Sequence, residues 1–305
     1  MPIYRRRIAN LTRITTLLIA VAFIAACGGG GDNNAPVAAP PADEFGMSRA
    51  HYLGNEGVMV EHGETKILFD PLYRDDSDEF ELVPPDIEHA LLAGKPPWDG
   101  IDAVFVSHSH EDHYDPALML SYLRMHPTVE LYAPAQAVDG LREVAAASDS
   151  SLFDRVHGLA LAYGDAPIRL DMHGLLIEAV HMPHSGWPER NLDTDNISFR
   201  VTLDGITTVS HLGDADADVV HFEKTAGHWE QRRSQLAMPP YWHFRTQERR
   251  DTLIPRLHAD HAIGVHVRKD IPDEPSERPI ELQGVDLFTR PGETRDIPAP
   301  DSQPE

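Results

Sequence analysis

The chain has 305 residues and a formal net charge of −23, from 26 Lys and Arg against 49 Asp and Glu, and 41% of it is hydrophobic. That is enough apolar material for one large core or two small ones. The acidic balance repels phosphate backbones and so excludes nucleic acid as a partner, and the single cysteine, Cys27, excludes an internal disulfide.

The first 27 residues read as an export signal. Arg5, Arg6 and Arg7 form a positive start, and Ile14 to Ala26 is an apolar run too short for an ordinary membrane-spanning helix. It ends in Ile24-Ala25-Ala26-Cys27, which resembles the lipobox of bacterial lipoproteins. In that family the cysteine is lipidated and becomes the new N-terminus. The resemblance implies an exported protein anchored to a membrane through Cys27. Gly28, rather than Asp, follows the cysteine, which is compatible with the periplasmic side of an outer membrane. Residues 1–27 contain Arg5, Arg6, Arg7 and Arg13 and no acid, so the processed chain would carry −27. Residues 28–45, rich in Gly, Pro, Ala and Asn, have almost nothing to bury and read as a tether.

A domain is expected over residues 46–290. It opens with short alternating segments, Ala50 to Leu53, Gly57 to His62 and Thr65 to Phe69, which predict a β-meander. Residues 72–99 are acidic and poorly periodic, with a helix expected at Asp86 to Ala93; the segment is a substrate lid or a plain surface excursion. Asp102 to Val106 then predicts a short buried strand, and it breaks into Ser107-His108-Ser109-His110-Glu111-Asp112-His113.

Three histidines and two carboxylates within six residues are the ligand types that zinc and its neighbours prefer. In extended backbone His108 and His110 point the same way, while Asp112 and His113 follow on a turn. One strand end can therefore serve two metals.

Pro116 to Met125 has apolar residues at helical spacing, Val129 to Ala133 reads as a strand and Pro134 to Ala147 as a helix, so α/β layering follows. Leu175 to Pro183 is a strand running into His181-Met182-Pro183-His184, and Trp187 and Arg190 lie in the loop beyond, where they could cover substrate. Asn196 to Leu203 and Ile206 to Ser210 form a hairpin about Asp204-Gly205, followed by His211-Leu212-Gly213-Asp214. Gln235 to Met238 reads as a strand, Thr246 to Ala259 as a helix, and Ala262 to Val267 as a strand containing His266. His243 suits either a substrate contact or a solvated loop, and His258 and His261 read as surface residues. Residues 291–305, acidic and Pro-rich, are expected to be a disordered tail.

The H-x-H-x-D-H pattern at His108 to His113 resembles the signature of the metallo-β-lactamase fold superfamily of metallo-hydrolases, and the likeness runs from about Tyr52 to His266. It implies a four-layer αββα sandwich. The phrases Tyr52-Leu53-Gly54-Asn55-Glu56-Gly57 and Leu68-Phe69-Asp70-Pro71 are similar to the family's first hairpin, which places Asp70 near the metals as a supporting residue. His184 fits the family's third histidine better than His181, which is the second choice. Gly213-Asp214 is similar to the motif of the metal-bridging aspartate, with Ala215 where Thr is frequent, and His266 matches the last histidine.

The resemblance thus implies two divalent cations, zinc first and manganese or iron otherwise. His108, His110 and His184 would hold one, Asp112, His113 and His266 the other, with Asp214 between. The implied reaction is hydrolysis of an ester, lactone or phosphodiester in a small-molecule or lipid substrate by a bridging hydroxide that Asp112 orients. Alternatives are a mononuclear iron redox enzyme of the same fold, similar to the persulfide dioxygenases, and a non-catalytic metal-binding lipoprotein.

Overall fold

The computed structural model describes residues 47–75 and 77–299. The signal segment, Cys27, the tether and residues 300–305 lie outside the described residues. None of the described helices is long and apolar enough to cross a membrane.

Two mixed sheets face each other. The first has strand order β13-β1-β2-β3-β4-β5-β6, from β1 (Ser48–Gly54), β2 (Gly57–His62), β3 (Thr65–Phe69), β4 (Ala103–Phe105), β5 (Glu130–Pro134), β6 (Val156–Leu159) and β13 (Thr294–Ile297). The second has the order β12-β11-β10-β9-β8-β7, from β7 (Ile168–Met172), β8 (Leu175–His181), β9 (Ile197–Leu203), β10 (Thr207–His211), β11 (Ser234–Met238) and β12 (Ala259–Ala262).

Side chains alternate across each strand, so each sheet buries two different faces. Val58, Val60, Ile67, Phe69 and Phe105 of the first sheet meet Ile177, Phe199, Val201 and Met238 of the second in one core between the sheets. The alternate residues Met59, Leu68, Val104 and Leu131 pack outward with Leu91, Met119 and Leu141, which lie on α1 (Pro85–Leu92), α2 (Pro116–Met125) and α3 (Ala135–Val144). On the far side, Val180 and Ala237 pack against Phe222 and Trp229 of α4 (Val219–Lys224) and α5 (Ala226–Gln231), and against Leu253 just beyond α6 (Gln247–Thr252). Helix, sheet, sheet, helix is the layering that the family resemblance implied.

Several local expectations are corrected. Residues 294–297 are no loose tail: β13 pairs antiparallel with β1, Ser48 opposite Ile297, and buries Ile297 in the core. One apolar residue and a free strand edge outweigh the polar composition around them. The long helix expected from Thr246 is α6 alone, capped by Thr246 Oγ1, which accepts from Arg249 N at 3.1 Å. It cannot run on because Pro255 lacks an N–H and clashes with the preceding turn; a 3₁₀ turn follows, and His258 ends it at φ +50°. The ladder of β12 stops at Ala262, and His266 lies beyond it rather than within a strand. The Asp204-Gly205 turn forms as expected, both residues at positive φ.

The direction of the strands is what positions the site. β3 to β6 run parallel, as do β8, β10, β11 and β12 once the antiparallel β9 is passed. Their C-terminal ends share one rim, and loops leaving a shared rim can place side chains at a common point.

Candidate metal centre

The loop after β4 is held before it reaches any ligand. β3 and β4 are in register, Phe69 opposite Phe105, so Asp70 and Ser107 leave the sheet side by side. Asp70, buried at φ +37°, accepts from Ser107 N at 2.7 Å and from Ser107 Oγ at 2.6 Å. At its other end the loop is closed by Asp115, whose side chain accepts from Leu118 N at 2.7 Å and caps α2, with Pro116 in the first turn.

Three groups of potential ligands converge on the rim: His108 with His110 and His184, His108 with His113 and Asp214, and Asp112 with His113 and His266. Asp214 joins them. Its Oδ2 lies 3.2 Å from His184 Nε2, while its Oδ1 lies 3.3 Å from His113 Nε2 and 3.1 Å from His266 Nε2. One carboxylate thus faces two histidine sets with different oxygens. Asp112 Oδ2 completes the second set at 3.3 Å from His266 Nε2 and 3.6 Å from His113 Nε2.

The residues fit divalent metal. His108 Nε2, His184 Nε2 and Asp214 Oδ1 are buried and make no hydrogen bond, a costly condition unless something else meets their lone pairs. His113 Nε2 and His266 Nε2 stand 3.1 Å apart, so only one of the two can carry a proton against the other. Burial and the neighbouring His113 push the His108 imidazole well below its ordinary value, and burial and His184 lower that of His110, keeping both in the neutral form that ligates metal. His113 goes the other way. The carboxylates of Asp112 and Asp214 outweigh burial and raise it, so a proton competes there with a cation. Burial alone would raise Asp112, but His113 and His266 hold its carboxyl down at about 2.

The far side of the rings is fixed as well. His113 Nδ1 donates to Asp70 Oδ2 at 3.0 Å. Ser107 Oγ spends its proton on Asp70, so at 2.9 Å from His108 Nδ1 it acts as acceptor. Both histidines therefore turn Nε2 toward the centre. His184 Nδ1 lies 3.0 Å from Ser185 O and 2.9 Å from Asn191 Nδ2, which itself donates to Ser185 O at 3.0 Å. Asp70, for which the sequence suggested a supporting place, makes its contacts to His113 and Ser107.

Other positions were not legible as site residues. Asn55, itself at φ +43°, donates from Nδ2 to Asp112 O at 2.9 Å, and its own carbonyl accepts from His266 N at 2.9 Å. His266 sits at φ +56°, a left-handed conformation uncommon outside glycine. Asn196 Oδ1 accepts from Asp214 N at 3.0 Å, and a Cβ on Gly213 would come within 2.4 Å of that oxygen, so glycine is required there. Thr194 Oγ1 lies 3.2 Å from His110 Nε2. Phe80 and Trp242 meet the His266 ring edge-on at centroid distances of 4.2 and 5.1 Å. Phe80 is how the 72–99 segment reaches the centre, pinned by Glu79 to Arg268 and by Asp78 to Lys269.

His181 ends β8 opposite Ile197 with its Nε2 3.8 Å from Asp195 Oδ1, and it belongs to none of the converging groups. Trp187 is 37% exposed beside His221 and Tyr163. His243 is neither solvated nor facing substrate: it is fully buried, and its Nε2 donates to Ala215 O at 2.9 Å, which fixes the chain just after Asp214. Glu56, Asp70 and His211 form a further buried group. His211 Nδ1 faces Gly213 N and its Nε2 donates to Glu56 O at 3.0 Å, so it offers no lone pair to a metal.

Residues 65–238 match the family described as a beta-lactamase superfamily domain. The fold is similar to an isothiocyanate hydrolase from Delia radicum gut bacteria, with a TM-score of 0.52 at 16% identity over 82% of this chain and 100% of that one. It is also similar to a possible metal-dependent hydrolase from Veillonella parvula, with a TM-score of 0.51 at 14% identity over 82% and 99%. Protein Rv0786c of Mycobacterium tuberculosis is 30% identical over 97 residues, which is 32% of this chain and 37% of that protein.

Proposed function

The chain belongs to the beta-lactamase superfamily, and on that premise we propose that it is a metal-dependent hydrolase with two divalent cations, cleaving an ester, lactone or phosphodiester bond. The observation that carries this reading is Asp214, whose two oxygens address His184 on one side and His113 with His266 on the other. His108, His110 and His184 would hold one cation, Asp112, His113 and His266 the second. Bound there, the pair would activate a water near neutral pH and clamp the substrate's oxygens.

The chain's own groups do the rest. Asp112, a fifth exposed and ionised, faces both the centre and solvent, so it can take a proton from water and hand it to a leaving group. Asp70 and Ser107 hold the ring orientations. Trp242, edge-on to His266, offers an apolar wall for the substrate body. No Ser or Cys nucleophile is required.

Metal analysis of a chain starting near Gly46 tests the reading. About two zinc or manganese ions per chain, with hydrolysis in a screen of esters, lactones, phosphodiesters and isothiocyanates, supports it. One iron per chain with oxygen uptake would replace it with the redox alternative, and a chain that binds no metal after reconstitution would leave only the binding role. Anchoring through Cys27 belongs to the same proposal: Cys27→Ala is expected to move the protein out of the membrane fraction, and persistence there refutes the lipoprotein reading.

A further inference from the structure

In a chain of net charge −23 most described cations sit against an acid, as Arg74 does with Glu88 and Arg124 with Asp149. One cavity holds a lysine that does not. It measures about 580 Å³ and opens between residues 164–167, the start of β7 and the α4–α5 pair. Arg169, Glu178, Lys224 and His228 line it. Ile177 and Ala179 point into the core between the sheets, so Glu178 between them faces the helices, on the flank of the second sheet and away from the rim of strand ends.

Lys224 makes no ion pair or side-chain hydrogen bond among the described residues; its ammonium lies 3.8 Å over the Tyr163 ring. Arg169 approaches Glu178 Oε1 only at 3.8 Å. Glu178 is already engaged, since its Oε2 accepts from Arg200 Nε at 2.9 Å and from Arg232 Nε at 3.1 Å. Three guanidiniums therefore surround one carboxylate. The remaining acid of the lining, Asp165, accepts from Ala162 N in its own turn. His228 is 4% exposed and its Nε2 has no hydrogen-bond partner. Burial and Arg200 push its imidazole down to about 3, so at neutral pH the ring is uncharged.

We propose that this cavity is a second binding site, for a small molecule carrying a phosphate or carboxylate group, with Arg169 and Lys224 pairing the oxyanion and the uncharged His228 ring forming part of the wall. A guanidinium offers the planar fork that such oxyanions accept, and an ammonium offers an additional point charge. A ligand of this kind would give Lys224 the partner that it lacks among the described residues, and would relieve Arg169 of sharing Glu178 with two other guanidiniums.

Calorimetric titration of the metal-loaded chain with inorganic phosphate, and separately with succinate, tests this. Because phosphate also suits a metal centre, the titrations are repeated on Asp214→Ala, or on His110→Ala should the first variant not fold. The expected result is a saturable event, with either anion, that survives the metal-centre substitution. In Arg169→Gln/Lys224→Gln it should weaken by about tenfold or more while the melting midpoint holds, both residues being exposed. Binding of phosphate alone or of succinate alone assigns the group. An event that vanishes with the metal centre, one that the double substitution leaves unchanged, or no saturable event with either anion overturns the proposal.

Discussion

The first sheet delivers His108, His110, Asp112 and His113 from one loop of six residues, whereas the second delivers His184, Asp214 and His266 from three strand ends that are 30 and 52 residues apart. In the first set, closeness along the chain keeps the ligands together, while Asp70 and Ser107 brace the loop and choose which ring nitrogen faces inward and Asn55 bonds the Asp112 carbonyl. In the second set nothing local holds the group together. Sheet order, the left-handed turn at His266, the Asn196 bond to Asp214 and the His243 bond to Ala215 do that work. Local clusters are robust to distant change; assembled ones depend on every element between them.

Asp214→Ala strikes where the two sets meet and should have the largest effect: both metals and activity lost together, read by metal content and turnover. Retained activity would break the two-cation reading. Next, His184→Ala should empty the first position, while His181→Ala should leave metal content at the parent value; the reverse result would exchange the two assignments. Asp70→Asn should weaken metal binding by roughly 10–100-fold while the fold persists, since it orients His113 directly and His108 through Ser107. Ser107→Ala should weaken it less, and mainly at the position that His108 serves. Equal losses from both variants would deny the relay through Ser107.

The smallest effect expected is on stability against pH. His228 and His243 are buried and held neutral, at about 3 and about 4, chiefly by burial. An unfolded histidine titrates near ~6.5, so between roughly pH 4 and 6.5 the unfolded chain binds more protons than the folded one. Stability should be fully present above that window and fall by a few kcal/mol in total as the pH drops through it. His243→Gln should flatten part of the slope in urea titrations at several pH values; an unchanged slope would show that His243 is not buried neutral in solution.

How much of this was legible follows from the same contrast. The meander, the Asp204-Gly205 turn and the ligands of the loop could be read because period-two alternation, turn chemistry and close ligand spacing are local signals. Residues 294–297 could not, because a polar segment becomes a strand only when β1 presents a free edge. Thr194, Asn55 and Asn196 carry no signal in composition or spacing; they matter through hydrogen bonds to groups far along the chain, His110, Asp112 and Asp214 being 84, 57 and 18 residues away.

The amino-acid sequence by itself determined the alternation of strands and helices and which residue types would gather at the strand ends, because these rest on hydrophobic period and on side-chain chemistry; the family and its four layers came from the resemblance that the His108 to His113 pattern carries. Only the tertiary structure decided that His184 and not His181 joins the centre, that Asp214 turns one oxygen to each set, and that His243 is buried as a support. Those outcomes depend on which way a side chain leaves its strand end, and that direction is set by the neighbouring strands rather than by the residues beside it in the chain.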